Sequence, residues 1–300
     1  MTYSIVARDP ATGELGVAVQ SHWFSVGSVV TWAEAGVGAV ATQSFAEPSY
    51  GPLGLELMRA GKSAPDALAA LLSVDPEAER RQVAMVDDHG RVAAHTGDRC
   101  VDAAGHEMGE GFSCQANLME RVTVWGAMAT AYRDASGDLR HRLLATLDAA
   151  EGEAGDIRGR QSAAILVVAA EASGDRYRDT ICDLRVEDHP EPVPELRRLV
   201  ELGRAYDRME HAEELILKDD LQAALAEYVD AEESGARHAP NNGEFAFWKA
   251  IMLANAGRFD EARSALAPLF ARDTRWRELV GRIARADLVP EETARKLVAD

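Results

Sequence analysis

The segments TYSIVAR (residues 2–8) and ELGVAVQ (14–20) flank the turn sequence DPATG (9–13). In the first segment, apolar residues recur at every second position from Tyr3 to Ala7, which is the period of a β-strand, and the second segment also reads as a strand. The proline and the glycine between the two segments favour a tight turn. The chain is therefore predicted to open with a β-hairpin that belongs to the core of its fold.

This hairpin places Thr2 at the open end of the first strand, with Ser21 ending the second strand on the same side. If Met1 is removed, Thr2 carries a hydroxyl and a free α-amine on one residue. The hydroxyl can attack a carbonyl while the amine, whose pKa is roughly 7.7–8.0, takes its proton. Thr2 is therefore the candidate nucleophile. The alternative is that the pair Met1-Thr2 has no catalytic meaning, as in many proteins.

Five blocks of the sequence resemble the domain of unknown function 1028 family, and they occur in the order of that family. They lie in about the first two-thirds of the chain. The blocks are SIVARDPATGELGVAVQSHWFSVG (4–27), VGAVATQSFAEPSYGPLGLELMRAG (37–61), FSCQANLM (112–119), GDIRGRQSAAILVV (155–168) and DLRVEDHPEPVPELRRLVEL (183–202).

The resemblance implies the fold of N-terminal nucleophile (Ntn) hydrolases, a four-layer αββα sandwich whose first residue attacks an amide carbonyl. Runs of predicted strands alternate with runs of predicted helices, which favours an α+β fold over repeated βαβ units. We expect an Ntn-hydrolase-like αββα domain over residues 1–192. Beyond the hairpin, the patterns predict strands at 29–32, 37–44, 82–86, 91–96, 112–117, 162–170 and 179–186, and helices within 46–61, 64–72 and 122–150.

Two further residues are candidates for catalysis. Asn117 ends a predicted strand, and its side chain can donate to the oxyanion of a tetrahedral intermediate, a contribution of roughly 2.7–4 kcal/mol per donor. A strand-end asparagine that satisfies a turn is the alternative. Asp156 lies in the polar stretch 155–162, where it can act with Arg158 to orient the α-amine or a charged substrate group. The alternative there is a tight turn locked by an Asp156–Arg158 pair.

Substrate contacts are expected from polar residues at the predicted ends of core strands near Thr2. The stretch 155–162 directly precedes a core strand, and 42–44 closes another. The candidate substrate-binding residues are Ser21, Thr42, Gln43, Arg158, Gln161 and Ser162.

Competing catalytic patterns are absent from the sequence. It contains neither a phosphate-binding loop ending in Gly-Lys-Ser or Gly-Lys-Thr nor a GxSxG motif. The eight histidines are scattered without ligand spacing, so we expect no metal and no cofactor. Cys114 could serve as a nucleophile with a distant histidine, but the sequence favours a buried, inert thiol.

Composition limits the choice of partners and compartment. The net charge of −18 disfavours nucleic acid, which binds to concentrated basic surfaces. Three cysteines do not form a disulfide framework and fit a reducing compartment. The sequence has no apolar run long enough for a membrane span and no signal-peptide pattern. We therefore expect a cytoplasmic protein that binds neither nucleic acid nor membrane.

The last third of the chain, 193–300, has a helical pattern. Helices are predicted at 194–217, 221–233, 244–256 and 259–270. The segments LKDDLQAALAEYVDA and NAGRFDEARSALAPL align with Leu221 opposite Phe259, and they resemble tetratricopeptide-type repeats. Two helix pairs are fewer than a free-standing solenoid needs, so they are expected to pack on the first domain or on another subunit. Residues 194–300 are also the candidate site for a protein partner. A homodimer is the expected oligomer.

The sequence thus predicts an Ntn-type amidohydrolase with Thr2 as nucleophile, acting on the amide bond of a small molecule or peptide. The alternative is a binding or scaffold protein that has the same fold, lacks catalysis, and recruits a partner through its helical repeats.

Overall fold

The computed structural model describes residues 2–299. The chain divides into two compact units, the first ending at Arg197 and the second beginning at Arg198. This division falls inside the helix Pro192–Leu217, slightly beyond the expected boundary at 192/193.

The first unit contains two antiparallel sheets. The larger sheet has six strands in the order β10-β9-β2-β1-β8-β7. These strands are β1 Thr2–Arg8, β2 Leu15–Ser21, β7 Gly105–Gly109, β8 Phe112–Asn117, β9 Ser162–Val168 and β10 Thr180–Val186. The smaller sheet has the order β3-β4-β5-β6, with β3 Thr31–Glu34, β4 Gly38–Ser44, β5 Arg81–Asp87 and β6 Val92–Thr96.

The predicted hairpin forms the middle of the larger sheet. Strand β1 pairs with β2 on one side and with β8 on the other. At the open end of the hairpin, Thr2 lies opposite Ser21 in β2 and opposite Asn117 in β8. The first described residue of the chain is therefore fixed by two neighbouring strands.

Helices cover the outer face of each sheet, giving four layers. The larger sheet is covered by α4 Val124–Asp134 and α5 Leu139–Gly152, and the smaller by α2 Tyr50–Arg59 and α3 Ala64–Leu72. Gly16 of β2 permits the close approach of α5, because a Cβ there would lie 2.8 Å from Leu143 Cδ1. Ser63 caps α3 by accepting a hydrogen bond from the backbone N–H of Asp66, as its position before a proline-containing first turn predicts. The α+β class is confirmed.

The inner faces of the two sheets meet in a cluster of small aliphatic side chains. Its members are fully buried and come from four strands; we call it the apolar cluster. It comprises Val6, Val17, Val19, Ala39, Ala41, Ala84 and Val86.

Several short elements were not predicted. The strand β7 has the sequence GHEMG, in which glycine and charge hide the strand pattern. The short helices α1 Gly27–Val30 and α6 Arg176–Asp179 were also missed. The predicted helical stretch 122–150 is two helices, α4 and α5, with a break between Asp134 and Leu139.

The second unit is helical throughout its described residues. The helix begun at Pro192, α7 Pro192–Leu217, is followed by α8 Leu221–His238, α9 Glu244–Asn255, α10 Phe259–Arg272, α11 Arg275–Arg285 and α12 Glu291–Val298. The helices α8 and α10 begin at the two residues that align in the sequence, Leu221 and Phe259. The pair α11 and α12 was not predicted.

Two features bear on the expected compartment. Within residues 2–299, no helix is both long and apolar enough to cross a membrane. The three cysteines, Cys100, Cys114 and Cys182, are buried, and none of them forms a disulfide within residues 2–299.

Candidate active site

A row of polar side chains lies between the sheets at the open end of the hairpin. In the larger sheet, adjacent strands place four polar residues side by side, and the smaller sheet adds two paired glutamines. None of the six is more than 3% exposed. This polar row consists of Ser162, Ser21, Thr2, Asn117, Gln43 and Gln82.

Thr2 is held by hydrogen bonds from both sheets. Its hydroxyl Oγ1 donates to Ser21 Oγ over 3.1 Å. Its carbonyl oxygen accepts from Gln43 Nε2 at 3.2 Å and from Asn117 Nδ2 at 3.4 Å. The backbone and side chain of Thr2 are therefore fixed at one position, as a nucleophile requires. Met1 lies outside the described residues.

The side-chain amide of Gln82 sets the orientation of its neighbours. Its Nε2 donates to the carbonyl of Ala116 at 2.8 Å and to that of Gly105 at 3.2 Å. Since a carbonyl can only accept, this amide has one orientation, and its Oε1 must accept. Gln82 Oε1 does accept, from Gln43 Nε2 and from Asn117 Nδ2, both at 2.8 Å.

This arrangement leaves one acceptor free beside Thr2. Because Asn117 presents its nitrogen to Gln82 and to the Thr2 carbonyl, its Oδ1 faces elsewhere. Asn117 Oδ1 is buried and has no hydrogen-bond partner among residues 2–299. A buried acceptor without a donor costs about 1–3 kcal/mol. It is therefore a place where a ligand N–H or an amine would be stabilised.

The hydrogen-bond network continues along β1 and β8 through residues that were not predicted. Ser4 Oγ donates to Gln43 Oε1 at 2.6 Å and accepts from Gln115 Nε2 at 2.6 Å. Ser113 Oγ in turn donates to Gln115 Oε1 at 2.9 Å. The sequence carried a signal for these residues. Polar side chains occupy alternate positions, hence one face, of strands that are buried throughout.

At its other end the network reaches a histidine. Thr96 Oγ1 accepts from Gln82 Nε2 at 2.9 Å and lies 2.9 Å from His106 Nδ1. Burial, with a smaller contribution from His95, lowers the pKa of His106 below its ordinary 6.5. A neutral His106 can accept a hydrogen bond from the Thr96 hydroxyl at Nδ1.

Asp156 lies at the same end of the larger sheet, next to the polar row. Its Oδ2 accepts from the backbone N–H of His22, the residue after Ser21, at 3.1 Å, and from Arg158 Nη2 at 2.8 Å. Its Oδ1 accepts from Arg158 N at 2.9 Å and from Arg158 Nε at 3.1 Å. Asp156 therefore fixes the end of β2 and is paired with Arg158, as the tight-turn alternative describes.

The remaining predicted residues do not all join this site. Ser162 belongs to the polar row, where its hydroxyl accepts from the backbone N–H of Val26 at 3.1 Å. Gln161 is partly exposed and donates to Asp188 Oδ1 at 3.1 Å. Thr42 has its side chain on the opposite face of β4 from Gln43, because neighbouring residues of a strand alternate. Its hydroxyl donates to the carbonyl of Glu47, so the structure does not bring the Thr42 side chain near Thr2.

The residues directly after Gln43 and Asn117 have a strained backbone. Ser44 comes directly after Gln43 and has a φ of 71°; Leu118 comes directly after Asn117 and has a φ of 57°. The left-handed region costs a non-glycine residue roughly 1–2 kcal/mol. Strain of this kind clusters at functional sites.

Two other kinds of chemistry have candidate residues in this unit, metal binding and a thiol nucleophile. Asp87, Asp88 and His89 place potential metal ligands within 4.8 Å of one another. Asp87, however, already accepts from three backbone N–H groups and from the Arg91 guanidinium, so it acts as a turn-holding residue. Burial raises the pKa of the Cys114 thiol, which disfavours the thiolate needed for nucleophilic attack.

Comparison with known proteins adds the family to this fold and site. The model of the family of unknown function DUF1028 matches residues 2–196. The chain belongs to this family. It is similar to protein SPO2555 from Silicibacter pomeroyi, a DUF1028 protein of known crystal structure. The sequences are 32% identical and the TM-score is 0.60, over 67% of this chain and 88% of that chain. No protein in the curated set matches.

Proposed function

We propose that this protein is an Ntn-type amidohydrolase in which Thr2 attacks the amide bond of a small molecule or peptide. The observation that carries the proposal is the placement of Thr2. Thr2 lies in the middle of a buried polar row. Its hydroxyl donates a hydrogen bond to Ser21, and its carbonyl accepts one from Gln43 in the smaller sheet. The mechanism requires a chain from which Met1 has been removed.

In the proposed reaction, Thr2 Oγ1 attacks the amide carbonyl carbon and its proton passes to the α-amine of Thr2. The tetrahedral intermediate collapses as the α-amine, now protonated, gives a proton to the leaving amine. An ester between Thr2 and the acyl group remains. Water then attacks this ester, with the α-amine again as base, and releases the acid and free Thr2. The Ser21 hydroxyl, 3.1 Å away, orients the attacking oxygen.

The role of Asn117 differs from the oxyanion donor expected from the sequence. Its N–H groups already serve Gln82 Oε1 and the Thr2 carbonyl, and turning the amide round would break both bonds. Its free Oδ1 suits an acceptor role toward the α-amine of Thr2 or an N–H group of the substrate. Asp156 is proposed as a positioning residue, because it holds the end of β2 that carries Ser21.

The test is the intact mass of the purified protein before and after treatment with a β-lactone that acylates N-terminal threonine. We expect a chain lacking Met1 to gain one acyl group. Thr2→Ala should gain none, and Thr2→Ser should retain the reaction because it keeps a hydroxyl.

Thr42→Ala is the matched control. It removes a threonine hydroxyl from the outward face of the neighbouring sheet and should leave acylation unchanged. Acylation of Thr2→Ala, or a processed chain that never reacts, would remove the mechanism and favour a non-catalytic binding role.

A further inference from the structure

The larger sheet ends on one side in a strand with a free edge. Strand β10 is outermost there, and among the strands of residues 2–299 it pairs with β9 alone. Apart from β9, the element that packs against it most is the short helix α6. The register between β9 and β10 is irregular between Thr180 and Cys182. The regular part of β10 is therefore Cys182–Val186, with Leu184 at its centre.

The backbone groups of β10 have a definite direction. The N–H of Ala169, directly after β9, donates to the carbonyl of Asp179 at 2.8 Å. Because backbone groups point to the same side at every second residue of a strand, the odd-numbered residues of β9 also face β10. Their partners in the regular part of β10 are the even-numbered residues, Cys182, Leu184 and Val186. The N–H and C=O groups of Asp183 and Arg185 therefore point away from β9, to the free edge.

The free edge is exposed and carries one charge of each sign. The side chain of Asp183 is 40% exposed and that of Arg185 is 36% exposed, and the two are 3.3 Å apart. Within residues 2–299, no backbone hydrogen bond joins either residue to a partner outside the sheet. Unpaired backbone groups at a sheet edge are a template for another strand. An exposed ion pair contributes little to stability, so it can be exchanged for pairs with a second chain.

We propose that β10 pairs antiparallel with β10 of a second copy of this chain, about a two-fold axis at Leu184. This register places Asp183 of each copy directly opposite Arg185 of the partner subunit. Opposite residues in such a pair lie on the same face of the sheet, where opposite charges are favourable and like charges are not. The surface is thus complementary to itself, as a two-fold interface requires.

The charges also select this register over its neighbours. An axis at Asp183 or at Arg185 would place that residue opposite its own copy, with like charges in contact. Charged residues normally protect a free edge from pairing. Here they leave one register open, and a second copy of the chain satisfies it. The inference concerns assembly and is independent of the reaction proposed at Thr2.

The proposed axis fixes a distance that can be tested. The backbone groups of Leu184 face β9, so the two copies of Leu184 form a non-hydrogen-bonded pair. The Cα atoms of such a pair lie about 4.5 Å apart. A disulfide spans Cα distances of roughly 4.4–6.8 Å. Leu184→Cys should therefore link two copies of the chain without movement of the backbone.

The first test treats the full-length Leu184→Cys variant with oxidised glutathione and records the intact mass without reductant. We expect a covalent dimer as the main product. Met108→Cys is the matched control, because Met108 is exposed in β7, the opposite edge strand of the same sheet. The control and the unchanged chain, whose cysteines are buried, should not form this product. Equal linking of the two variants, or none in Leu184→Cys, would contradict the proposed axis.

The second test exchanges the charges and measures the oligomeric state by sedimentation over a range of concentrations. Asp183→Arg alone, or Arg185→Asp alone, places like charges opposite each other at both pairs and should weaken the dimer roughly tenfold or more. The double variant Asp183→Arg/Arg185→Asp restores opposite charges and should restore the dimer.

Three results would overturn the proposal. They are a monomer at every concentration of the unchanged chain, a dimer that neither single variant weakens, and an open series of larger oligomers, which indicates a contact without two-fold symmetry.

Discussion

The two halves of the space between the sheets differ in chemistry although the same strands build them. Toward the hairpin turn, the inner face is the apolar cluster, from Val6 and Val17 to Val86. At the open end, the same strands present Thr2, Ser21 and Gln82. Both halves are equally buried.

This difference assigns stability mainly to the apolar half and function mainly to the polar half. Burying aliphatic side chains stabilises the fold by about 25 cal/mol per Å² removed from water. Burying amides and hydroxyls gives little net stabilisation even when every hydrogen bond is made, and costs free energy where one is missing. Within residues 2–299, the polar row lacks one hydrogen bond, at Asn117 Oδ1. A fold under selection for stability alone would continue the apolar cluster to this end.

The largest effect is expected from Gln82→Ala. It removes an acceptor from Gln43 and Asn117 and a donor from two backbone carbonyls, so the free energy of unfolding should fall by about 3–5 kcal/mol. Acylation of Thr2 should slow as well, since Asn117 loses its fixed orientation. Denaturant unfolding and the β-lactone reaction measure the two effects; an unchanged rate of acylation would contradict the assignment of the open end to function.

A smaller effect is expected from Val17→Ala in the apolar cluster. The side chain is fully buried, so its truncation should lower the free energy of unfolding by about 2 kcal/mol. The rate of Thr2 acylation should stay unchanged under native conditions. If acylation slows as much as in Gln82→Ala, the two halves are not separable.

The smallest effect is a dependence of stability on pH at the end of the network. His106 has a lowered pKa when folded, so the unfolded chain binds its proton more readily. Stability is therefore complete above the ordinary value of 6.5 and declines as the pH falls below it. Denaturant unfolding on both sides of this value should show the decline, and His106→Gln should reduce it. An identical decline in that variant would assign it to other groups.

Local patterns predicted much of this fold. The segments 2–20 contain the alternation and turn residues of a hairpin, and Thr2 does lie opposite Ser21. Strand β8 was predicted with its observed bounds, Phe112–Asn117. The strand β7 was not, because its side chains are half exposed and two of its five residues are glycines. Its position depends on pairing with β8, which is a tertiary interaction.

The site was predicted less completely than the fold. Ser21, Gln43, Asn117 and Ser162 were predicted as polar strand ends. Ser21, Asn117 and Ser162 line up with Thr2 because one register runs across four strands of the larger sheet. Gln43 reaches the Thr2 carbonyl from the smaller sheet. Thr42 was selected for the same reason, although a one-residue offset places it on the other face of β4. Gln82 was missed, since the pairing of β4 with β5 that brings it to Gln43 cannot be read locally.

The three buried cysteines can report local opening of the fold, because each is shielded by a different part of it. Cys114 lies within β8, an inner strand of the larger sheet that pairs with β1 and β7, whereas Cys182 lies in the outermost strand, β10. Cys100 has its sulfur 3.3 Å from the carbonyl of Arg81, at the start of β5 in the smaller sheet. A shielded thiol reacts with a soluble disulfide reagent only while its surroundings are open. The labelling rates of the three thiols therefore compare the opening of an inner strand, an edge strand and the second sheet in one experiment, without an introduced label.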